Sequence, residues 1–106
     1  MKVVNVKTET FTEEVENSKE PMMIDFYATW CGPCKMVGQV IDEIAKEYDG
    51  NVKICKIDVD AEPELAVKYR IMSVPTILTM RNGEVIKRVT GARTKNNIIS
   101  MLDELK

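Results

Sequence analysis

Two of the chain's three cysteines, Cys31 and Cys34, stand three residues apart in Trp30-Cys31-Gly32-Pro33-Cys34, which also holds the only tryptophan. A thiol is a nucleophile only as its thiolate, so a pair of thiols does chemistry where something stabilises the anion. The flanking sequence supplies that position. Ile24-Asp25-Phe26-Tyr27-Ala28 reads as a buried strand, and Val37, Val40, Ile41, Ile44, Ala45 and Tyr48 fall on one face of a helix. Cys31 therefore lies at about the N-cap, where unpaired N–H groups and the positive end of the helix dipole favour negative charge. Its pKa is expected below the free-cysteine value of roughly 8.5. Gly32 lets the backbone approach closely, and Pro33 suits the first turn because its missing N–H had no helical partner. Cys34, one turn on, shares that face within disulfide reach and is expected to be the more buried sulfur. Cys31 attacks; Cys34 resolves.

Other uses of the pair fit less well. Zinc usually takes four ligands, and the chain has no histidine and one further cysteine. A structural disulfide closing so small a loop adds little stability and stays reduced in a cytoplasm. An odd cysteine count is also unlike a secreted disulfide framework.

The bulk properties bound the rest. A chain of 106 residues predicts a single domain, 1–106, with a core of its own. At 44% hydrophobic and 30% charged it is composed as an ordinary soluble globule. A net charge of −2 argues against nucleic acid as a partner. Met1-Lys2-Val3-Val4-Asn5-Val6 is too quickly polar for a signal peptide, and no apolar run suggests a membrane span. A cytoplasmic location and a monomer are the expectations.

Strands and helices alternate along the chain. Val3 to Val6 predicts a first strand. Thr10-Phe11-Thr12-Glu13 fits a capping box, with Thr10 as cap, for a short helix to about Ser18. A second strand spans Met22 to Ala28, and the long helix runs from about Pro33 to Tyr48 with Gly50 as its C-terminal stop. Val52 to Asp58 is nearly continuous in apolar residues, as a buried parallel strand would be. Glu62 to Tyr69 predicts a short helix. Thr76 to Met80 and Val85 to Val89, joined by Asn82-Gly83, predict a type I′ hairpin adding antiparallel edge strands. Thr94 can cap a last helix whose inner face is Ile98, Ile99, Leu102 and Leu105. The order βαβαβαββα implies an α/β fold, a central mixed five-stranded sheet flanked by four helices.

A CxxC on a strand-to-helix turn within such a pattern is a thioredoxin-like signature. The whole chain resembles the thioredoxin family. The resemblance is carried by Asp25-Phe26-Tyr27-Ala28-Thr29-Trp30-Cys31-Gly32-Pro33-Cys34-Lys35, Lys56-Ile57-Asp58-Val59-Asp60, Val74-Pro75-Thr76, Asn82-Gly83 and Gly91-Ala92. The residues between the cysteines are unlike the CPYC and CGHC forms usual in glutaredoxins and disulfide isomerases. The resemblance implies a thioredoxin fold and a general protein-disulfide reductase. It implies a redox disulfide Cys31–Cys34, no bound cofactor, disulfide-containing protein substrates, and electrons from a thioredoxin reductase.

It also implies roles for single residues. Asp25, a carboxylate in a buried strand, would lie beneath Cys34 and take its proton, and Lys56 would sit near that carboxylate. Pro75 would be cis and face the cysteines. Trp30, Gly32, Pro33, Val74, Gly91 and Ala92 would surround an exposed Cys31 with a flat, mostly apolar surface for extended substrates. Cys55 reads as a core residue with an unreactive thiol.

The chain departs from the family's common pattern in three places. Tyr27 replaces a frequent second tryptophan, Gly38-Gln39 an Ala-Pro pair, and Met72-Ser73 a segment that often holds glycine. Two other readings of this fold remain, a disulfide oxidase or isomerase and a redox-inactive binding module. The intact Cys31, Cys34, Asp25 and Val74-Pro75 set argues against the second.

Overall fold

The computed structural model describes residues 1–106. Five strands, β1 (Lys2–Asn5), β2 (Met22–Tyr27), β3 (Lys53–Asp58), β4 (Thr76–Arg81) and β5 (Glu84–Thr90), form one sheet in the order β1-β3-β2-β4-β5. The first three pair in parallel; β4 runs antiparallel to β2, and β5 to β4. Between β1 and β2 lies a helical segment, a 3₁₀ turn Thr8–Thr10 followed by a π turn Thr12–Glu16. Three α-helices complete the chain: α1 (Gly32–Glu47), α2 (Pro63–Lys68) and α3 (Lys95–Asp103). The element order is the one the sequence predicts.

Strand β2 sits at the centre and is buried from Met22 to Phe26. Alternation along it divides the interior into two layers. Ile24 and Phe26 pack with Phe11, Val15 and Leu65 beneath the first helical segment and α2. Met23 packs with Val37, Ile41 and Ile44 of α1 and with Ile98 and Leu102 of α3. Asp25 has the parity of Met23, so its side chain lies on the α1 side of the sheet. That places the carboxylate on the same face as the helix that carries the cysteines.

Several local expectations are corrected. Thr10 is not the cap of the first helical segment but its third residue, where its hydroxyl accepts from the Lys7 N–H at 3.0 Å. The segment begins earlier because Glu62 Oε1 accepts from both the N–H and the hydroxyl of Thr8, at 2.8 and 3.1 Å. Gly50 does not stop α1 in a left-handed conformation, since the helix turns outward at Tyr48 (φ −72°, ψ 127°). Its small size is needed for another reason: a Cβ there would run into the Tyr48 ring.

Strand β4 is interior and fully buried up to Met80, so of the two hairpin strands only β5 lies at an edge of the sheet, β1 forming the other edge. A register shift opposite Thr79 and Met80 skips Ile86, and the charged Lys87 and Arg88 follow on the same exposed strand. Asn82 (φ 52°) and Gly83 (φ 80°) make the left-handed pair a type I′ turn requires. On α3 the Thr94 hydroxyl accepts from the Asn97 N–H at 3.2 Å, as expected. The inner face uses Met101 where Ile99 was expected, and Ile99 is only half-buried.

Two glycine substitutions should move stability in opposite directions. At Gly38, inside α1, a Cβ would meet only Lys56 Nζ at 3.9 Å. Gly38→Ala should therefore raise the unfolding free energy by about 0.5–1 kcal/mol. Gly50→Ala should lower it by about 1–3 kcal/mol, because the Tyr48 hydroxyl donates to Asp103 Oδ1 at 2.7 Å and cannot easily swing clear. Urea unfolding with unchanged m-values reads both.

Candidate redox site

The turn from β2 into α1 places the cysteines. Cys31 is the N-cap of α1 in an extended conformation (φ −91°, ψ 112°), with Gly32 and Pro33 in the first turn. Its Sγ accepts from the Cys34 N–H at 3.2 Å, the bond a serine or aspartate cap would make. The Cys31 N–H donates to Ala28 O at 3.2 Å, which closes the turn from the strand side. Cys31 and Cys34 are joined as a disulfide, with their Cα atoms 5.2 Å apart. In this oxidised form the capped sulfur is neutral. On reduction the same N–H and the helix start would act on a thiolate, where a charge-assisted hydrogen bond is stronger.

Cys34 is the more buried, at 3% exposure, but Cys31 at 6% is far from the exposed residue expected. Tyr27, Val59 and Val74 pack around the pair together with Ala28 and account for that cover. These side chains leave little of Cys31 open to solvent. No side chain fills the space beside Gly32, where a Cβ would meet nothing within 4 Å. The close approach expected of that glycine is not to another part of this chain.

An open cleft of about 500 Å³ on the α1 side of the sheet reaches Asp25, Cys34, Lys35, Gly38, Asp42 and Lys56. Asp25 and Cys34 thus both line this cleft. Asp25 is 1% exposed, and its Oδ1 has no hydrogen-bond partner. Burial pushes its pKa up from 3.8 to about 6, opposed by the positive charge of Lys56 and aided by the negative charge of Asp42. Lys56 is the register partner of Asp25 on β3, so it is near the carboxylate as expected. Its Nζ, however, bonds Asp42 Oδ1 at 3.2 Å. Asp42 was not singled out from the sequence. The signal was present, because Cys34, Gly38 and Asp42 lie four residues apart on one face of α1.

Of the residues expected at a substrate surface, Val74 packs against the disulfide, and Trp30, Gly32 and Pro33 adjoin it in the chain. Trp30 is 71% exposed, which excludes a core role, and its Nε1 donates to Asp60 Oδ2 at 2.7 Å. Gly32, Pro33 and Ala92 are exposed, and Val74 and Gly91 are half-buried. The Val74–Pro75 peptide is cis, as the resemblance implies. Gly91, with φ 91°, donates its N–H to Pro75 O at 2.8 Å and brings the end of β5 to the proline loop. A shallow apolar groove runs beside the pair, lined by Trp30, Val59, Ile71, Met72, Ser73 and Val74. Met72, 93% exposed, belongs to the Met72-Ser73 departure from the family pattern, and Asp60 was assigned no role of its own; only the folded chain sets them beside Trp30. Cys55 is fully buried in the opposite layer, and burial pushes its thiol up to about 11.

The sequence model of the thioredoxin family matches residues 2–104. Thioredoxin of Staphylococcus epidermidis is 41% identical over 104 residues, covering 98% of each chain. Thioredoxins of Staphylococcus haemolyticus and Staphylococcus aureus are each 40% identical over the same length and coverage.

A buried carboxylate whose pKa is raised binds its proton more tightly in the folded state than in the unfolded one. Its contribution to stability is complete below about pH 4 and is lost as pH rises through about 6, a difference of roughly 3 kcal/mol. Asp25→Asn should therefore be more stable than the parent by about 2–3 kcal/mol at pH 8 and close to it at pH 3.5. Parallel denaturation curves across that range are the check. Equal stability at pH 8 would show that the carboxylate is compensated.

Proposed function

The chain belongs to the thioredoxin family, and on that premise we propose that it is a general protein-disulfide reductase acting through Cys31 and Cys34. The observation that supports this most is a cysteine sulfur serving as the N-cap of α1, hydrogen-bonded to the N–H of its own partner cysteine. In the reduced protein the Cys31 thiolate attacks one sulfur of a substrate disulfide. The substrate S–S bond breaks, its departing sulfur takes a proton, and a mixed disulfide joins Cys31 to the substrate. Cys34 then gives its proton to the Asp25 carboxylate, directly or through water, and its thiolate attacks Cys31 Sγ. The Cys31–Cys34 disulfide forms, and the second substrate thiolate leaves. Two electrons pass to the substrate.

A carboxyl group with pKa of about 6 is largely ionised at neutral pH and close enough in basicity to accept a proton there. Lys56 adjusts that value by its charge. Trp30, Gly32, Pro33, Val74, Pro75, Gly91 and Ala92 form the surface on which an extended substrate lies. Main-chain hydrogen bonds beside Pro75 and apolar contacts then bind many sequences. The reaction needs no bound cofactor. The oxidised pair is returned to dithiol by a thioredoxin reductase, and the protein works as a monomer in the cytoplasm. No helix is long and apolar enough to cross a membrane.

Cys34→Ser should accumulate a mixed disulfide with a reducible substrate such as insulin, visible by mass spectrometry, and Cys31→Ser should reduce nothing. Trapping on Cys34 instead would reverse the order of attack. Equilibration of the wild-type pair against glutathione at neutral pH, followed by Trp30 fluorescence, should give a potential well below the glutathione poise. A potential above it would make the protein an oxidant or isomerase.

A further inference from the structure

The cleft beside Cys34 is lined by two lysines, Lys35 and Lys56, and two carboxylates, Asp25 and Asp42. Lys56 projects from β3 between Asp25, its neighbour across the parallel pairing, and Asp42 of α1. The buried carboxylate has the greater need of a cation, yet its Oδ1 is unpartnered. The ammonium is bound instead to the exposed one, with Lys56 Nζ 3.2 Å from Asp42 Oδ1. Gly38 lies one turn before Asp42, and the position of its absent Cβ is 3.9 Å from the same Nζ. Lys56 thus lies along the bare stretch of α1 and is tethered at its far end.

Other charges around Asp25 do not account for this arrangement. From α1 the cleft receives Cys34, Lys35 and Asp42; from β3 it receives Lys56; on its own strand the nearest titratable group is Tyr27. Across the antiparallel pairing β4 presents Ile77, which carries no charge. Lys56 is the one cation that lowers the basicity of Asp25 among the charges that govern it, and Asp42 is its recorded ion-pair partner.

We propose that Asp42 is a positioning residue for the disulfide exchange: it holds the Lys56 ammonium at the mouth of the cleft, off Asp25, and so leaves the buried carboxylate free to take the proton of Cys34. A carboxylate locked in a close ion pair is a poorer base, because a cation at contact stabilises its ionised form. The tether keeps the cation near enough to permit ionisation in an apolar layer, and far enough to leave the group basic. This rests on the reading of Asp25 as the proton acceptor for Cys34.

The test uses the oxidised full chain and follows the Asp25 carboxyl carbon by NMR through a pH titration. Wild type, Asp42→Asn, Lys56→Met and the double variant are compared. Asp42→Asn should lower the Asp25 midpoint by about 1 pH unit as Lys56 turns inward. In the Lys56→Met background the same substitution should lose most of that effect. An equal shift in both backgrounds would mean that Asp42 acts by its own charge alone, and no shift in either would mean that it does not act; either result overturns the proposal. In single-turnover release of substrate from the Cys31 mixed disulfide, Asp42→Asn should move the acid limb of the pH profile down with the titration and slow the plateau. An unmoved profile overturns the proposal as well. Insulin reduction by the wild type separates the two readings. If it fails, the reductase assignment falls while the titration still reports on Asp42.

Discussion

A helix that begins inside a protein needs something to satisfy its first N–H groups, and here a sulfur atom meets that need. The Cys34 N–H donates to Cys31 Sγ, and around that bond the rest of the site is arranged. The turn is held from the strand by Ala28 O, and Lys35 N–H continues the helix by donating to Cys31 O at 3.2 Å. The reactive atom is therefore part of the backbone's own hydrogen bonding. Its position is set as firmly as the handover from β2 to α1, and the helix start acts on whatever charge it acquires.

The second constraint is a cost accepted in the interior. In its buried stretch the central strand carries Asp25 on the α1 side, next to Met23, with Ile77 and Lys56 as its register partners. A carboxylate there is unfavourable at neutral pH, and an apolar residue of similar size would serve stability better. The sheet's remaining order tolerates this. Two apolar layers close on β2, and α1 is anchored by Val37, Ile41 and Ile44. The ties from Tyr48 to Asp103 and from Lys95 to Glu43 and Glu47 join it to α3 and its start. With the framework secured elsewhere, a buried carboxyl group in the cleft beside Cys34 can be carried.

Access is limited by the same packing. Tyr27, Val59 and Val74 cover the disulfide, while Trp30 lies outside, bound to Asp60, and flanks a groove that ends at the cis-proline loop. The proposed substrate surface is thus the exposed rim around a largely covered disulfide.

The sequence alone determined the order of elements, the redox pair, the helix start beneath Cys31 and the central burial of β2. Each of these depends on residues close together in the chain: the CxxC spacing, the apolar stripe of α1, the Asn82-Gly83 turn and the Thr94 cap. The family resemblance added the cis Val74–Pro75 peptide, which no local pattern reveals. Local reading failed where a distant contact decided the outcome. Thr8 begins the first helical segment because Glu62 reaches it, Gly50 is small because of the Tyr48 ring, and β4 is interior because β5 takes the edge. Tertiary structure alone decided how exposed Cys31 is, which carboxylate holds Lys56 and which residues line the groove. Those are properties of side chains that meet across elements, and they depend on distances that spacing along one strand or one helix does not contain.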